Sequence, residues 1–319
     1  MRKRELSKIR SLIVQETGSP TSYSQENHSS VRFHTNTKFF IFSVRLRIKV
    51  VFVIVSRNRI NLLAPCPAPV NKGRTVQITK HTDSARENHL LAALPAAEFA
   101  NLETDLEPVS LELGQVIYES GEQLEFIYFP TTAIISLLYI MENGSTAEIA
   151  MAGNDGLVGV ALFMGGSTTP SRAVVQSAGN AFRLRSKALQ ATFGMGGVFQ
   201  NILLRYTQSL MTQISQTAVC NRLHTVEQQL CRWLLINYDL LQSNKLIMTH
   251  ELIANMLGVR REGVSIAAGH LQKRGLIKYV RGTITMLDHP ALEIAACECY
   301  QVVKDEYDRL LGKYISKNL

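Results

Sequence analysis

The stretch from Gly197 to Gln242 most constrains the fold, because the 45 residues that follow Gly197 contain neither proline nor glycine. Both residue types interrupt helices, so their absence predicts long helical segments. We predict one helix over residues 196–224. A second helix is expected to resume near Thr225, where Val226, Leu230 and Trp233 recur at helical spacing.

A heptad-like seam with polar interruptions follows the first of these helices. Such a seam has two interpretations: the helix packs on its own domain, or it packs on a second copy of the chain. We favour a homodimer, because the helix precedes a candidate DNA-binding segment. The predicted dimer-interface residues are Leu203, Tyr206, Leu210, Gln213 and Thr217.

Short runs typical of strands, broken by glycine, fill the region before this helix, for example VSLELG, EFIYFP and NAFRLRS. Turn signals at regular intervals predict an antiparallel β-roll or jelly roll over residues 88–195, with an effector or sensor role. Asn143-Gly144 is a hairpin signal, because both residue types accept a positive φ.

Histidine and cysteine are both absent between Leu90 and Val219. This absence argues against a cupin metalloenzyme, a haem sensor, a cysteine-ligated cluster or a nucleophile-histidine pair in the β-roll. We therefore expect no enzyme activity and no cofactor. Cys297-Glu-Cys299 could begin a metal site, but no further ligand pair lies nearby in the sequence, so no metal is expected. The five cysteines are expected to be reduced in a cytoplasmic protein.

The first 80 residues are strongly basic, with 15 Lys/Arg and 3 Asp/Glu, whereas the remaining residues have 19 and 23. An apolar run over residues 39–55 carries Arg45, Arg47 and Lys49 near its middle, which disfavours a membrane span. No signal peptide is recognisable. We expect residues 1–87 to be a disordered or spurious extension, with a basic arm that touches DNA or lipid as the alternative.

LGVRREGVSIAAGHLQKRGLI, residues 257–277, has the pattern of a helix-turn-helix. Thr249 is a candidate N-cap for the first helix, and Gly258 permits a left-handed turn. The first helix is expected to bury Leu252, Ile253 and Met256, and the second a stripe that includes Val264 and Leu271. Predicted base-reading residues are Arg260, Arg261, Glu262 and Ser265, and predicted phosphate contacts are Lys273 and Arg274.

The segment LIKYVRGTITML, residues 276–287, has the pattern of a strand, a tight turn and a strand, and KLIM supplies a third strand before Thr249. Together these elements predict a winged helix over residues 225–290, with Arg281 at the tip of the wing. Residues 245–282 contain 7 basic and 2 acidic residues in an otherwise acidic region, which favours nucleic acid as a partner.

The order of these parts resembles the transcription regulators of the Crp/Fnr type, and the similarity covers roughly residues 88–288. Arg261-Glu262 matches the base-reading pair of that family. The resemblance implies an α+β protein with a β-roll, a dimerisation helix and a winged helix-turn-helix, followed by a helical tail over residues 291–319. It also implies a cytoplasmic homodimer on palindromic double-stranded DNA and no membrane association, and it leaves room for RNA polymerase as a further partner.

The family's cyclic-nucleotide site is altered here. Val160 follows Gly159 where a glutamate is expected, and Ser171-Arg172 stand in swapped order. These four residues are the predicted effector pocket, with an unknown effector and at best weak binding of cyclic AMP. The alternative function is a signalling or scaffold protein whose β-roll binds a small molecule and whose C-terminal helices bind protein.

Overall fold

A computed structural model of the chain describes residues 40–46, 49–56, 59–62, 85–241 and 243–315. The first three ranges are the strands β1 (Phe40–Leu46), β2 (Lys49–Ser56) and β3 (Arg59–Leu62). They form an antiparallel sheet in the order β1-β2-β3. The sequence analysis did not predict these strands. Most other residues of the extension predicted over residues 1–87 lie outside the described residues. The structure therefore does not test whether they are disordered.

The β-roll consists of two antiparallel sheets. Its strands are β4 (Glu107–Leu111), β5 (Val116–Tyr118), β6 (Phe126–Pro130), β7 (Ile134–Ile140), β8 (Thr146–Ala152), β9 (Arg172–Ser177) and β10 (Gly179–Arg185). One sheet has the strand order β4-β10-β6 and the other β5-β9-β7-β8. The predicted fold class is thus confirmed for this part of the chain. The predicted hairpin joins β7 to β8, where Gly144 has a φ of +80° and the Asn143 side chain accepts a 3.0 Å hydrogen bond from the Ser145 amide.

Short helices flank the roll. They are α1 (His89–Ala92), α2 (Ala96–Glu103), a 3-10 helix (Val160–Leu162) and α3 (Ser186–Gly194). Asn88 caps α1, and its side-chain amide also donates to the carbonyls of Pro130 and Gly156 at 2.8 Å each. This buried side chain therefore fixes the first helix against the roll.

The long helix α4 (Gly197–Leu223) is followed by α5 (Val226–Leu241). The break is a capping box: Thr225 Oγ1 accepts from the Gln228 amide at 3.3 Å, and Gln228 Oε1 accepts from the Thr225 amide at 3.0 Å. Both helices begin within two residues of the predicted positions.

The predicted dimer interface requires a correction, because four of its five residues are buried within the single chain and Gln213 is half-buried. Leu203, Tyr206 and Leu210 belong to the core of the β-roll. Tyr206 donates to the Leu157 carbonyl at 3.0 Å, Gln213 Oε1 accepts from the Met151 amide at 3.1 Å, and Thr217 is buried. This face of α4 packs on its own domain in the single chain.

A second core organises the C-terminal part. Its elements are α5, β11 (Lys245–Ile247), α6 (His250–Leu257), α7 (Arg261–Lys273), β12 (Ile277–Val280), β13 (Thr283–Met286) and α8 (His289–Ala295). The strands form an antiparallel sheet in the order β11-β13-β12. A helix-turn-helix followed by a two-stranded wing is the predicted winged helix.

The tail contains α9 (Cys299–Tyr307), a π-helix (Asp308–Gly312) and α10 (Lys313–Ile315), and it packs along α4. The segment between α8 and α9, together with the first residue of α9, brings Cys297 and Cys299 against Cys220 and His224 at the end of α4. The expectation that no further ligand pair lies near Cys297 and Cys299 is therefore wrong, because the fold joins residues that are distant in the sequence.

Candidate nucleic-acid interface

The helix-turn-helix is built from local signals. The Thr249 side chain accepts a 3.3 Å hydrogen bond from the Leu252 amide and so caps α6. Gly258 ends α6 with a φ of +65°, a left-handed conformation that favours glycine. In α6 the buried residues are Ile253, Ala254 and Leu257, whereas Leu252 is 45% exposed. The prediction that Leu252 faces inward is wrong, because the buried face of α6 runs through Ile253, Ala254 and Leu257.

Helix α7 buries the predicted stripe and exposes the opposite face. Val264, Ala267, Ala268 and Leu271 are buried, as predicted from their spacing. Arg260, Arg261, Glu262 and Ser265 are all exposed at the N-terminal end of α7. Charged donors and an acceptor thus face solvent together at the end of a helix.

Two contacts orient this face. Arg261 Nε lies 3.9 Å from Glu251 Oε2, and both side chains remain about two-thirds exposed, at 67% and 63%. At this distance and exposure the pair contributes little stability, so Arg261 can exchange Glu251 for another acceptor. Ser265 Oγ lies 3.0 Å from His250 Nδ1.

His250 is a supporting residue that the sequence analysis missed. Its ring stacks on Tyr279 of the wing, with centroids 4.1 Å apart and an angle of 21° between the planes. Burial, together with the positive charge of Arg261, lowers the pKa of His250. A neutral imidazole therefore links α6, the Ser265 position of α7 and the wing.

The predicted phosphate contacts differ from each other. Lys273 is exposed and makes no ion pair within the described residues. Arg274 NH1 instead lies 2.9 Å from Glu227 Oε1 in α5, and His270 Nδ1 lies 3.2 Å from the other oxygen of the same carboxylate. Arg274 thus joins the end of α7 to α5, and the prediction that it contacts phosphate stays a prediction.

The wing carries Arg281 at its tip, as predicted. Arg281 has a φ of +48° and Gly282 a φ of +80°, the consecutive left-handed pair of a tight hairpin turn. The Arg281 side chain is exposed, and Lys278 on β12 adds a second exposed cation that the sequence analysis missed.

The four residues of the predicted effector pocket do not form a single polar site. Gly159, with a φ of +111°, precedes the 3-10 helix that begins at Val160. Arg172 Nε lies 3.2 Å from Glu119 Oε2. Ser171 is buried, and its Oγ lies 3.0 Å from Thr169 Oγ1. Within the described residues, no hydrogen bond or ion pair joins Gly159 or Val160 to Ser171 or Arg172.

A separate cleft of about 460 Å³ lies between the roll, α4, α5 and α9, and none of the four predicted effector residues lines it. Its polar lining includes Asp155, Asp239, Tyr300 and Lys304. Tyr300 donates a 2.8 Å hydrogen bond to Asp239. Burial raises the pKa of Asp155 to about 6.

Family models match both parts of the chain. The model described as the cyclic nucleotide-binding domain matches residues 108–194. The model described as the Crp-like helix-turn-helix domain matches residues 228–294. The first match covers most of the β-roll, and the second covers α5, the helix-turn-helix and the wing.

Solved structures show the same fold at low sequence identity. FixK2 from Bradyrhizobium japonicum has a TM-score of 0.53 and 16% identity, with 60% of this chain and 98% of that chain covered. TTHB099, a transcriptional regulator of the CRP family from Thermus thermophilus, has a TM-score of 0.51 and 20% identity, with coverage of 59% and 96%. No curated protein sequence matches the chain.

The two matches show a cyclic nucleotide-binding type of domain followed by a Crp-like helix-turn-helix domain. The chain has the domain architecture of the Crp/Fnr-type transcription regulators. Among the described residues, no helix is both long enough and apolar enough to span a membrane.

Proposed function

We propose that the protein is a transcription regulator that binds palindromic double-stranded DNA in a sequence-specific manner as a homodimer. The observation that carries this proposal is the exposed N-terminal face of α7, where Arg260, Arg261, Glu262 and Ser265 face solvent. A major groove admits a helix end of this kind, since arginine donates to guanine and a carboxylate accepts from cytosine.

The cations around this face support the same mode of binding. Lys273 at the end of α7 and Arg281 at the wing tip are exposed and make no ion pair within the described residues. Contacts of this type to phosphate fix the register of a protein on DNA without reading sequence. We therefore propose that the residues at the start of α7 read bases. Lys273 and Arg281 contact phosphates and so position the protein on the DNA.

The dimer contact proposed here uses the exposed face of α4. Leu204, Met211 and Ala218 are exposed and recur at intervals of seven, with Leu204 49% and Met211 61% exposed. A second copy of α4 is the occupant that fits, because a stripe with heptad spacing is complementary to itself across a two-fold axis. Two recognition helices related by that axis match an inverted repeat.

The four predicted pocket residues do not identify an effector. Val160 cannot accept a hydrogen bond from a ribose hydroxyl, and Arg172 is paired with Glu119. RNA polymerase is a proposed partner on the basis of the domain architecture alone. The same architecture supports the proposal that the protein is not an enzyme.

Selection from a pool of random duplexes tests the function directly. The full chain is immobilised, bound duplexes are amplified over successive rounds, and the enriched sites are sequenced. We expect an inverted repeat whose half-sites are centred about 10 base pairs apart, or a multiple of that spacing. A matched selection with Arg261→Ala should lose preference at one symmetric position. A pool that stays random with the unaltered chain would contradict the proposal.

A further inference from the structure

Four side chains that can bind a metal converge where the end of α4 meets the start of α9 and the segment before it. They are Cys220, His224, Cys297 and Cys299, and one ligand atom from each lies within 4.8 Å of the others. Cys220 and His224 are one helical turn apart, and Cys297 and Cys299 flank Glu298. This is a nitrogen and three sulfurs brought together from two distant parts of the chain.

The distances between the ligand atoms fit one tetrahedral ion. The Sγ atoms of Cys220 and Cys297 are 3.5 Å apart. Cys299 Sγ lies 3.6 Å from His224 Nδ1. The bond lengths of tetrahedral zinc imply edges of about 3.8 Å between two sulfurs and about 3.6 Å between sulfur and nitrogen. An iron–sulfur cluster divides its protein ligands among two or more irons, so its four ligand atoms do not all lie as close together as the four atoms here, and a single ion is favoured.

The surroundings of the cysteines are those of a closed site. Cys220, Cys297 and Cys299 are 0%, 5% and 1% exposed, and they form a cluster apart from the two main cores. Four protein ligands leave no open coordination position, which is typical of structural rather than catalytic zinc.

His224 is held in the orientation that a metal ligand needs. Its Nδ1 faces Cys299, and its Nε2 lies 3.4 Å from Oε2 of Glu298. Histidine ligands commonly donate their second ring nitrogen to a carboxylate, which fixes the tautomer and the ring orientation. Glu298 itself is 74% exposed in its side chain and so contributes little to the core.

The local charge also balances. Three thiolates and a neutral imidazole around a divalent ion carry a net charge of −1. Arg232 is 4% exposed and lies near Cys220 and Cys299, with which it interacts electrostatically. A buried guanidinium beside a site of charge −1 offsets part of the cost of burying either charge alone.

We propose that Cys220, His224, Cys297 and Cys299 bind one zinc ion in a tetrahedral structural site. Binding releases one proton to solvent from each thiol that is still protonated, forms three Zn–S bonds and one Zn–N bond, and changes no oxidation state. The ion ties the C-terminal end of α4 to the start of α9 and the segment before it. The proposal does not depend on DNA binding.

Metal analysis of the full chain tests the site. The chain is purified under reducing conditions without added chelator, and its zinc content is measured by mass spectrometry of the element. We expect about one zinc ion per chain. Replacement of the zinc by Co²⁺ should give the intense visible bands of a tetrahedral cobalt thiolate. Cys220→Ser, Cys297→Ser and Cys299→Ser should each lose most of the metal.

Two further variants keep the test decisive if the cysteine variants fold poorly. Cys231→Ser is the matched control, because Cys231 is a buried thiol outside the cluster, and it should retain the zinc. Glu298→Gln leaves the core intact and should weaken zinc affinity by about tenfold to a hundredfold.

Three results would overturn the proposal. The first is a reduced wild-type chain that holds no zinc and develops no tetrahedral bands on titration with Co²⁺. The second is a Cys220–Cys297 disulfide that persists in the reduced preparation. The third combines two observations. Glu298→Gln binds zinc as tightly as wild type, and Cys231→Ser loses as much metal as the serine variants of Cys220, Cys297 and Cys299.

Discussion

The indole nitrogen of Trp233 in α5 donates a 2.9 Å hydrogen bond to Oε1 of Glu148 in β8, and both side chains are buried. A second buried contact runs beside it, from Gln176 Nε2 in β9 to Asn237 Oδ1 in α5 at 2.7 Å. Ser136 in β7 donates to Gln176 and so continues this network into the roll. The β-roll and the first helix of the winged-helix part are thus joined by paired polar groups as well as by apolar packing.

Trp233→Phe should lower the free energy of unfolding by about 1–3 kcal/mol, because it leaves the buried Glu148 carboxyl without its donor. Glu148→Gln is the matched variant, since its amide oxygen still accepts from the indole. Urea denaturation of both variants at fixed pH makes the comparison. Equal destabilisation by the two changes would show that the hydrogen bond contributes nothing.

Stability should fall as pH rises toward neutrality, because burial raises the pKa of Glu148 to about 7. Between the pKa of Glu148 in the unfolded chain and its higher pKa in the folded chain, only the folded chain keeps the carboxyl proton. The associated stability is fully present below the unfolded pKa and is lost as pH rises through the folded pKa. Between about pH 5 and pH 8 the loss is at most about 3 kcal/mol.

Glu148→Gln isolates this effect from Asp155, whose pKa is also raised by burial, to about 6. Denaturation curves at several pH values, taken for wild type and Glu148→Gln, give the difference. A difference that does not change with pH would contradict the assignment. Glu142→Gln, a change in an exposed glutamate of the neighbouring hairpin, is the control.

Met211→Glu should dissociate the proposed dimer while leaving the single chain folded, because Met211 is 61% exposed on the outer face of α4. Leu210→Glu should instead unfold the chain, since Leu210 is buried in the roll's core. Light scattering combined with denaturation separates the two results. Met164→Glu, a change at a methionine that is 59% exposed in the β-roll, is the control and should remain dimeric.

Cyclic AMP should bind no more tightly than the tens of micromolar range. Val160 offers no acceptor to the ribose, and Arg172 is already paired with Glu119. Calorimetry on the full chain measures the affinity, with Val160→Glu as the variant that restores an acceptor. A low-micromolar dissociation constant for wild type, about −8 kcal/mol, would overturn this expectation.

Local patterns in the sequence were sufficient to predict the elements of the winged helix. Thr249, Gly258 and the Arg281-Gly282 pair each specify a cap or a turn through their own side chain or backbone freedom. The strand runs and the hairpin at Asn143 follow in the same way. These signals act over a few residues, so they need no knowledge of tertiary contacts.

Features that depend on packing could not be assigned from the sequence. Helix α4 has apolar residues on adjacent positions, Leu203 beside Leu204 and Leu210 beside Met211, so both faces fit a seam. Only the position of the β-roll decides which face is buried. Arg274 likewise acquires its partner Glu227 from a different helix.

The cysteine cluster illustrates the same limit over a longer distance. Cys220 and Cys297 are separated by 77 positions and meet only because α9 packs along α4. Spacing rules for metal sites recognise ligand pairs close in sequence, and each half of this cluster contributes only part of a motif.

The central claim is that the N-terminal end of α7 reads bases, and a salt-titrated binding series on Arg261→Ala tests it most directly. The series uses the duplex obtained by selection and a scrambled duplex, with Lys273→Ala as the positioning variant. Lys187→Ala, a change at an exposed lysine on α3, is the control and should bind like wild type.

Arg261→Ala should lose about 1–3 kcal/mol on the selected duplex and change much less on the scrambled one, because a bidentate base contact is removed. Lys273→Ala should weaken both duplexes alike and reduce the salt slope by about one per subunit. If Arg261→Ala instead weakens the selected and scrambled duplexes equally, α7 does not read the major groove and the account is contradicted.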